Sequence, residues 1–241
     1  AALSGSLVQL GLSVLLMMRY MAARATGNVE SMLFGSNIMW FQSWNIRYIT
    51  GVDGISVAMI LLTSLVVTAG LLISWKEERL SKEFFFLLML LSVGAYGFFI
   101  SLDLFTLFFF LEVAVIPKFL LIAIWGSGKK EYSAMKLALM LMAGSALVFV
   151  SLAGIYIYSG GTFSFSEINA MHLPVDVQRF FFPFAFIGFG IFTALFPFYT
   201  WVPDGHSSAP TAASMFLAGI SMKLGGYGCL RVATYLMPQA A

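Results

Sequence analysis

Four side chains of the kinds that carry protons lie within or beside apolar stretches of this sequence. They are Glu112, Lys118, His206 and Lys223. An ionisable side chain at mid-membrane depth costs about 2.5 to 3.5 kcal/mol on insertion scales, so its presence there indicates a function. Desolvation and neighbouring charges tune the pKa values of carboxylates, amines and imidazoles. Together these residues predict a proton relay inside a membrane.

Each candidate also has a structural alternative. Glu112 and Lys223 could each hold a hydrogen bond to a neighbouring helix, and Lys118 could be a local counter-charge for Glu112. His206 could fix the polar turn predicted at 203–210, and Lys136 could be a basic residue of a loop or the edge of a proton inlet. The alternative is weakest for Glu112, which lies too far from either end of its apolar stretch to snorkel to water.

The composition excludes most soluble functions. The chain is 60% hydrophobic and 10% charged, where a soluble domain has about 25% charged residues. Its solvent is therefore predicted to be lipid. No basic run is long enough to bind nucleic acid. The single cysteine, Cys229, cannot form an internal disulfide or hold an iron–sulfur cluster, and two distant histidines, His172 and His206, do not suggest a metal site.

Seven apolar stretches approach the length of about 20 residues that a helix needs to cross a bilayer. They are 3–18, 55–75, 84–101, 104–125, 134–158, 180–201 and 211–236. Helices are expected because a spanning segment must satisfy its own backbone hydrogen bonds in lipid. The sequence therefore predicts an all-α fold, a polytopic transmembrane helix bundle, with residues 1–241 as a single transmembrane domain.

The connections predict an orientation. The first, 19–54, is long and aromatic, which suits a loop lying on the membrane surface, and Asp53 at its end suits the N-terminus of the next helix. Two shorter loops on the other side carry six basic residues: Lys76, Arg79, Lys82, Lys129, Lys130 and Lys136. This bias places the two shorter loops in the cytoplasm.

Proline is expected to kink one helix and to interrupt another. Pro117 follows Glu112 by five residues, and Pro197 falls near the end of 180–201. Proline removes a backbone donor and kinks or breaks a helix. Broken helices at membrane depth are tolerated where they line a wet cavity, and transporters use them to build ion sites.

Three stretches resemble the antiporter-like subunits of respiratory complex I, the NADH:quinone oxidoreductase. LFTLFFFLEVAVIPKFLLIAIWG resembles their fifth helix, and DGISVAMILLTSLVVTAGLLISWKE their third. FPFYTWVPDGHSSAPTAASMFLAGISMKLGGYGCLR resembles the signature of their seventh and eighth helices, closest to the subunit M type, the bacterial counterpart of mitochondrial subunit 4. The resemblance covers nearly the whole chain.

The resemblance implies a subunit of about fourteen helices with inverted repeats, of which this chain holds helices two to eight and the first repeat, roughly 84–236. Glu112 matches the family's helix-five glutamate, Lys223 its helix-eight lysine, and His206 the histidine between helices seven and eight. In the family these belong to a hydrated axis that moves protons, driven by quinone reduction in other subunits. The implied location is the bacterial inner membrane.

The same resemblance implies partners and cofactors. We expect a hetero-oligomer with the other membrane-arm subunits, embedded in the lipid bilayer, and no nucleic acid partner. No cofactor is expected in this chain. Flavin, iron–sulfur clusters and quinone would lie in partner subunits, so the chain would be part of a translocase without holding a redox centre.

One departure from the family pattern stands out. The family has a helix-seven lysine 31 residues before the helix-eight lysine, paired with the helix-five glutamate, and this chain has Phe192 there. Lys118 occurs on the fifth helix, where the family has an apolar residue. We therefore predict that Lys118 replaces the missing lysine as the partner of Glu112.

Other functions share these features. The chain could be the large subunit of an Mrp-type cation/proton antiporter, or the pump subunit of a membrane-bound hydrogenase or related dehydrogenase. A purely structural membrane spacer is a further alternative, but the presence of Glu112 and Lys223 disfavours it. The pumping alternatives differ in partners, which the chain does not encode.

Overall fold

Helices account for most of the chain, as the apolar stretches predict. The computed structural model describes residues 2–241. The α-helices are α1 (Ala2–Ala25), α2 (Gly54–Ile73), α3 (Ser81–Ile100), α4 (Leu104–Trp125), α5 (Lys130–Tyr158), α6 (Phe165–Met171), α7 (Val175–Thr193), α8 (Trp201–Ser208), α9 (Thr211–Phe216) and α10 (Met222–Gly228). Two strands, β1 (Leu33–Phe41) and β2 (Ile46–Val52), lie between α1 and α2.

The predicted all-α transmembrane bundle is confirmed. Within residues 2–241, six helical segments are long and apolar enough to cross a membrane, the last of them running over Val175–Ser208. The seventh predicted stretch, 211–236, is also helical, but it is divided. A π-helical segment, Leu217–Ser221, separates α9 from α10, and a second, Cys229–Thr234, follows α10.

The first connection is more ordered than the sequence suggested. Residues 19–54 are not a plain surface loop, because α1 continues to Ala25 and an antiparallel β-hairpin follows. The sequence pattern gave no clear alternation in this region, so the hairpin was not predicted. Asp53 caps α2 by accepting a hydrogen bond from the Ser56 amide at 2.8 Å, which confirms its predicted place at a helix N-terminus.

Two faces of the bundle are defined by the connections. The hairpin face contains β1 and β2, the start of α4 and the end of α5: the Leu102 amide donates to Ile49 at 2.8 Å, and the Tyr156 hydroxyl donates to Trp44 at 3.3 Å. The basic-loop face contains the connections α2–α3 and α4–α5. The end of α8 also reaches this second face, since the Ser127 amide donates to the Ser208 carbonyl at 2.8 Å.

The predicted break at Pro197 and the predicted polar turn after it differ from the structure. α4 contains Pro117 within one continuous helix. α7 ends before Pro197, because Thr193 is its last residue and Ala194 adopts a left-handed conformation with φ 64°. The polar turn predicted at 203–210 is mostly helix α8, Trp201–Ser208. Pro203 is compatible with this because it lies in the first turn of α8, where its missing N–H costs nothing.

Small residues let neighbouring helices approach closely. A side-chain carbon added at Gly94 would lie 2.9 Å from the Ala114 amide nitrogen, which brings α3 against α4. A carbon added at Gly144 would lie 3.0 Å from the Gly188 carbonyl oxygen, which brings α5 against α7. Close approach at small residues is how helices pack in lipid. These contacts hold α4, α5 and α7 around the middle of the bundle.

Candidate functional site

Glu112 lies in the middle of α4 and is half-buried. The Ser145 hydroxyl, on α5, donates a hydrogen bond to its Oε1. One turn beyond Glu112, Pro117 has no N–H to give to the carbonyl of Val113. Glu112 therefore has one fixed donor and stands beside a backbone acceptor that its own helix leaves open.

Lys118 is the most deeply enclosed charged side chain of the site. It is 2% exposed, and its Nζ has no hydrogen-bond partner. The amine interacts electrostatically with the carboxylate of Glu112. No ion pair within 4.0 Å joins the two side chains among residues 2–241. A buried amine without a partner is costly unless a neighbouring charge offsets it. The structure thus brings Lys118 and Glu112 into one interior without direct contact.

Lys223 is exposed on the surface of the described chain, which corrects its prediction as a buried cation. The residues beside it on α10, Leu224 and Gly225, are buried. Its helix turns those residues toward α7, so Lys223 projects away from the described helices. Its Nζ donates to the Ala218 carbonyl at 2.5 Å, within the preceding π-helical segment. Single-turn π segments occur often at functional sites.

His206 lies on α8 at the basic-loop face. Its Nδ1 is 2.7 Å from the hydroxyl of Ser214 on α9. Two residues earlier, Asp204 forms an ion pair with Lys136 of α5 at 2.6 Å. Within residues 2–241, neither a hydrogen bond nor an ion pair links His206 to Glu112, Lys118 or Lys223. The four predicted residues therefore form one interior pair and two separate positions.

Phe192, which occupies the position of the family's helix-seven lysine, is buried on α7. A side-chain carbon added at Gly144 would lie 3.2 Å from Phe192 Cε2. Gly144 precedes Ser145, the residue that donates to Glu112. The ring at 192 is therefore packed against the segment of α5 that contacts the carboxylate.

Sequence reasoning missed three polar contacts, because each joins residues that are far apart in the chain. Ser145 is 33 residues from Glu112, and Asp204 is 68 residues from Lys136. The third contact is the ion pair of Asp53 with Arg231. A serine in the middle of an apolar stretch was the only signal for the first. For the other two, the signal was a charged residue without an assigned role, Asp204 in one pair and Arg231 in the other.

A protein-family model described as "NADH:quinone oxidoreductase/Mrp antiporter, TM" matches residues 101–241. This match covers more than half of the chain. It includes α4 to α10 and therefore all four of the predicted site residues.

Curated relatives match over most of this chain. NAD(P)H-quinone oxidoreductase chain 4-2 of Synechocystis sp. is 35% identical over 202 residues, covering 83% of this chain and 36% of the relative. The chloroplastic chain 4 of Angiopteris evecta is 33% identical over 215 residues, covering 88% and 43%. A chain 4 of Thermosynechococcus vestitus is 31% identical over 241 residues, covering 99% and 44%. The chain thus spans less than half the length of these relatives.

Solved structures share the fold. A chain of the respiratory complex I from Thermus thermophilus with bound NADH superposes with a TM-score of 0.88 at 24% identity, covering 99% of this chain and 49% of that one. A chain of the membrane-bound sulfane sulfur reductase, an archaeal respiratory membrane complex, gives a TM-score of 0.82 at 22% identity, covering 99% and 48%. The arrangement of helices is therefore shared across these assemblies.

Proposed function

The chain belongs to the NADH:quinone oxidoreductase/Mrp antiporter membrane family, and we propose that it is a proton-translocating membrane-arm subunit of an NADH:quinone oxidoreductase. Its curated relatives are named as chain 4 of NAD(P)H-quinone oxidoreductases. In this proposal the chain is one subunit of a translocase. Quinone reduction in other subunits supplies the energy.

The observation that carries the proposal is the interior pair of Glu112 and Lys118. Lys118 is buried, and its amine has no hydrogen-bond partner. The charged group that interacts with this amine is the carboxylate of Glu112. Proton occupancy of the amine therefore depends on the charge of the carboxylate. A change in the charge of a nearby group therefore shifts the equilibrium between the protonated and the neutral amine.

We propose that Lys118 replaces the helix-seven lysine of the family as the partner of Glu112. Phe192 fills that family position and is packed beside Gly144, next to the hydroxyl that contacts the carboxylate. Lys118, on the same helix as Glu112, supplies a buried amine that interacts electrostatically with this carboxylate. Ser145 would keep the carboxylate oriented while its partner gains and loses a proton.

The other two predicted residues, His206 and Lys223, are proposed to lie before and after the Glu112–Lys118 pair on the route of the proton. His206, near the Asp204–Lys136 ion pair, would belong to a proton inlet at the basic-loop face. Lys223 would carry the proton onward, on a surface that the rest of a full-length subunit covers. The described helices would then be helices two to eight of that subunit, with the first inverted repeat at roughly 84–236.

We place the redox chemistry in partner subunits. Cys229 is the only cysteine, and no group of three or more metal-binding side chains occurs within residues 2–241. Flavin, iron–sulfur clusters and quinone would be held by the other subunits of a hetero-oligomer. Its membrane arm would be embedded in the bacterial inner membrane.

Purification of the native assembly through a tag on this chain tests the proposal. We expect inhibitor-sensitive NADH:quinone activity together with flavin and iron–sulfur signals. In membrane vesicles, Glu112→Gln and Lys223→Ala should retain NADH oxidation better than they retain proton uptake. Proton uptake at the wild-type level in both variants would contradict the assigned roles.

An Mrp-type cation/proton antiporter is the second candidate, because the description of the matching family names both classes. A tagged assembly of small membrane subunits without flavin or iron–sulfur signals would select it. Sodium-driven proton exchange in vesicles would then be the activity to measure.

A further inference from the structure

Three segments of the hairpin face meet at a buried carboxyl, that of Asp103. They are β2, residues 101–104 between α3 and α4, and residues 162–167 around the start of α6, and together we call them the hairpin junction. The Leu102 amide donates to the backbone of β2 at 2.8 Å, and the Leu104 amide donates to the backbone before α6 at 2.9 Å. Asp103 therefore lies between the hairpin and α6.

The Asp103 carboxyl is enclosed, and only one of its two oxygens has hydrogen-bond donors. Asp103 is 1% exposed. Its Oδ1 accepts from the amides of Phe105 and Thr106 at 3.0 and 3.1 Å, which caps α4. Its Oδ2 is buried and has no hydrogen-bond partner. Because a buried carboxylate is costly unless a partner compensates its charge, this environment favours the protonated form. Burial accordingly raises the pKa of Asp103 to about 6.

A second aspartate that caps a helix on this face has the opposite arrangement. Asp53 caps α2, and its carboxylate also forms an ion pair with Arg231. Burial raises the pKa of Asp53, but the Ser56 amide and the Arg231 guanidinium outweigh burial and hold that pKa below its usual range. The two capping residues therefore differ in whether a guanidinium is paired with the carboxylate.

The guanidinium that acts on Asp103 is bound to another carboxylate. Arg47, on β2, is the charged residue that interacts with the Asp103 carboxyl. Its Nη1 pairs with Glu167 of α6 at 3.0 Å, and its Nε donates to Asn45 at 3.1 Å. The Thr162 hydroxyl donates to the other oxygen of Glu167 at 2.5 Å. Arg47 thus joins the hairpin to α6, and Glu167 competes with Asp103 for its guanidinium.

Two tyrosines also pack at the junction, Tyr48 on β2 and Tyr156 at the end of α5. Among residues 2–241, neither hydroxyl forms a hydrogen bond with Asp103 or Glu167. The Tyr156 hydroxyl donates to the backbone of the hairpin instead, at 3.3 Å. The balance of charge at the junction therefore depends on Asp103, Arg47 and Glu167.

We propose that Asp103 is a proton-binding site that controls the ion pair between the hairpin and α6. With a proton on Asp103, Arg47 stays paired with Glu167, and the junction is closed. When the proton passes to water at the hairpin face, the buried carboxylate attracts Arg47 away from Glu167, and the junction opens. Arg47 keeps its own proton throughout, as guanidinium does at physiological pH.

This site responds to the acidity of the hairpin face. The orientation predicted from the basic loops places that face on the side opposite the cytoplasm. Under the proposed function, protons are delivered to this side. Acid there keeps Asp103 protonated and the junction closed. The inference goes beyond the proposed function and does not depend on it, because proton binding at Asp103 requires no transport.

Hydrogen exchange of the intact purified assembly, measured by mass spectrometry without NADH between pH 5 and pH 7, tests the proposal. Each rate is corrected for the intrinsic pH dependence of amide exchange. With a pKa of 3.8 in the open form and about 6 in the closed form, protection of residues 101–106 and 162–167 should fall about fivefold from pH 5 to pH 6 and about twofold from pH 6 to pH 7. The Asp103→Asn variant should show no such fall, because an amide does not titrate.

Two further variants isolate the role of Arg47. Asp53→Asn is the matched control, because it neutralises a capping aspartate on the same face that is already paired with Arg231. It should leave the pH response of the hairpin junction unchanged. Glu167→Gln removes the competing partner of Arg47. The fall in protection should therefore begin at a lower pH in this variant than in wild type.

The outcomes are distinct from those of the proposed function. A wild-type pH response in assembled Asp103→Asn would overturn the proton-binding site, and a wild-type response in Glu167→Gln would overturn the exchange of partners by Arg47. Where Asp103→Asn does not assemble, Asp103→Ser keeps a capping hydroxyl without a charge, and the same outcomes apply. Failure of NADH-driven proton uptake in wild type would refute the proposed function and leave this inference intact, because the exchange is measured without NADH.

Discussion

Replacing Lys118 by methionine should raise stability while abolishing proton transfer. The amine is 2% exposed and has no hydrogen-bond partner. An unsatisfied buried polar group costs about 1 to 3 kcal/mol, more when it is charged, and a lysine at the centre of a membrane helix costs about 2.5 to 3.5 kcal/mol on insertion scales. Methionine keeps most of the length of the side chain and removes that cost. We therefore expect a stabilisation of about 1 to 3 kcal/mol, since the interaction with Glu112 offsets part of the penalty.

The opposite signs make the assay decisive. Thermal unfolding of the purified assembly reports stability, and NADH-driven acidification of inverted membrane vesicles reports pumping. Lys129→Met is the matched control, because Lys129 is exposed in the loop after α4 and the chemical change is the same. The control should leave both readouts unchanged. A Lys118→Met assembly that is less stable than wild type, or that pumps normally, would refute the reasoning.

Three further predictions follow from particular contacts. Phe192→Lys introduced into the Lys118→Met variant should restore pumping. A double variant that assembles but does not pump would count against the proposal that Lys118 replaces a lysine at position 192 as the partner of Glu112. Burial raises the pKa of Asp103 from 3.8 to about 6, so its protonated form favours the native state. That stability is full below pH 3.8 and is lost as pH rises through 6, a shift worth about 3 kcal/mol. The Asp103→Asn variant should therefore have a higher melting temperature than wild type at pH 7 but not at pH 4. The same difference in melting temperature at both pH values would contradict this. Gly225→Ala should reduce the yield of assembled complex, because the added carbon would lie 2.5 Å from the backbone of α7. Gly226→Ala is the control and should assemble normally, because the nearest neighbour of its added carbon would lie 3.9 Å away.

The helices were the most predictable part of the fold. Long apolar stretches in a chain with few charges have one solution in lipid, because a helix alone satisfies the backbone within a single segment. The helix ends were less predictable. Ala194, with no special sequence signal, ends α7 before Pro197 does, and Pro203 lies inside a helix. Local proline rules do not decide such positions when tertiary packing holds the backbone on either side.

The hairpin and the π-helical segments could not be derived from local patterns. β1 and β2 are joined by backbone hydrogen bonds that depend on register, and much of β1 is exposed, so it has no alternating burial pattern for the sequence to reveal. The segments 217–221 and 229–234 contain no proline and no local motif that predicts π geometry. We infer that this geometry depends on how residues 211–236 pack against the neighbouring helices.

By itself, the sequence determined that this protein is a bundle of membrane helices and which of its side chains are out of place in lipid. Residue type and segment length suffice for that, since moving a charge from water into an apolar solvent is costly before any partner offsets the cost. The tertiary structure alone decided which of those charges meet. It placed Ser145 on Glu112, left Lys118 buried without a hydrogen-bond partner and Lys223 exposed, and paired Arg231 with Asp53. Such partners come from different helices, and their meeting depends on how those helices pack.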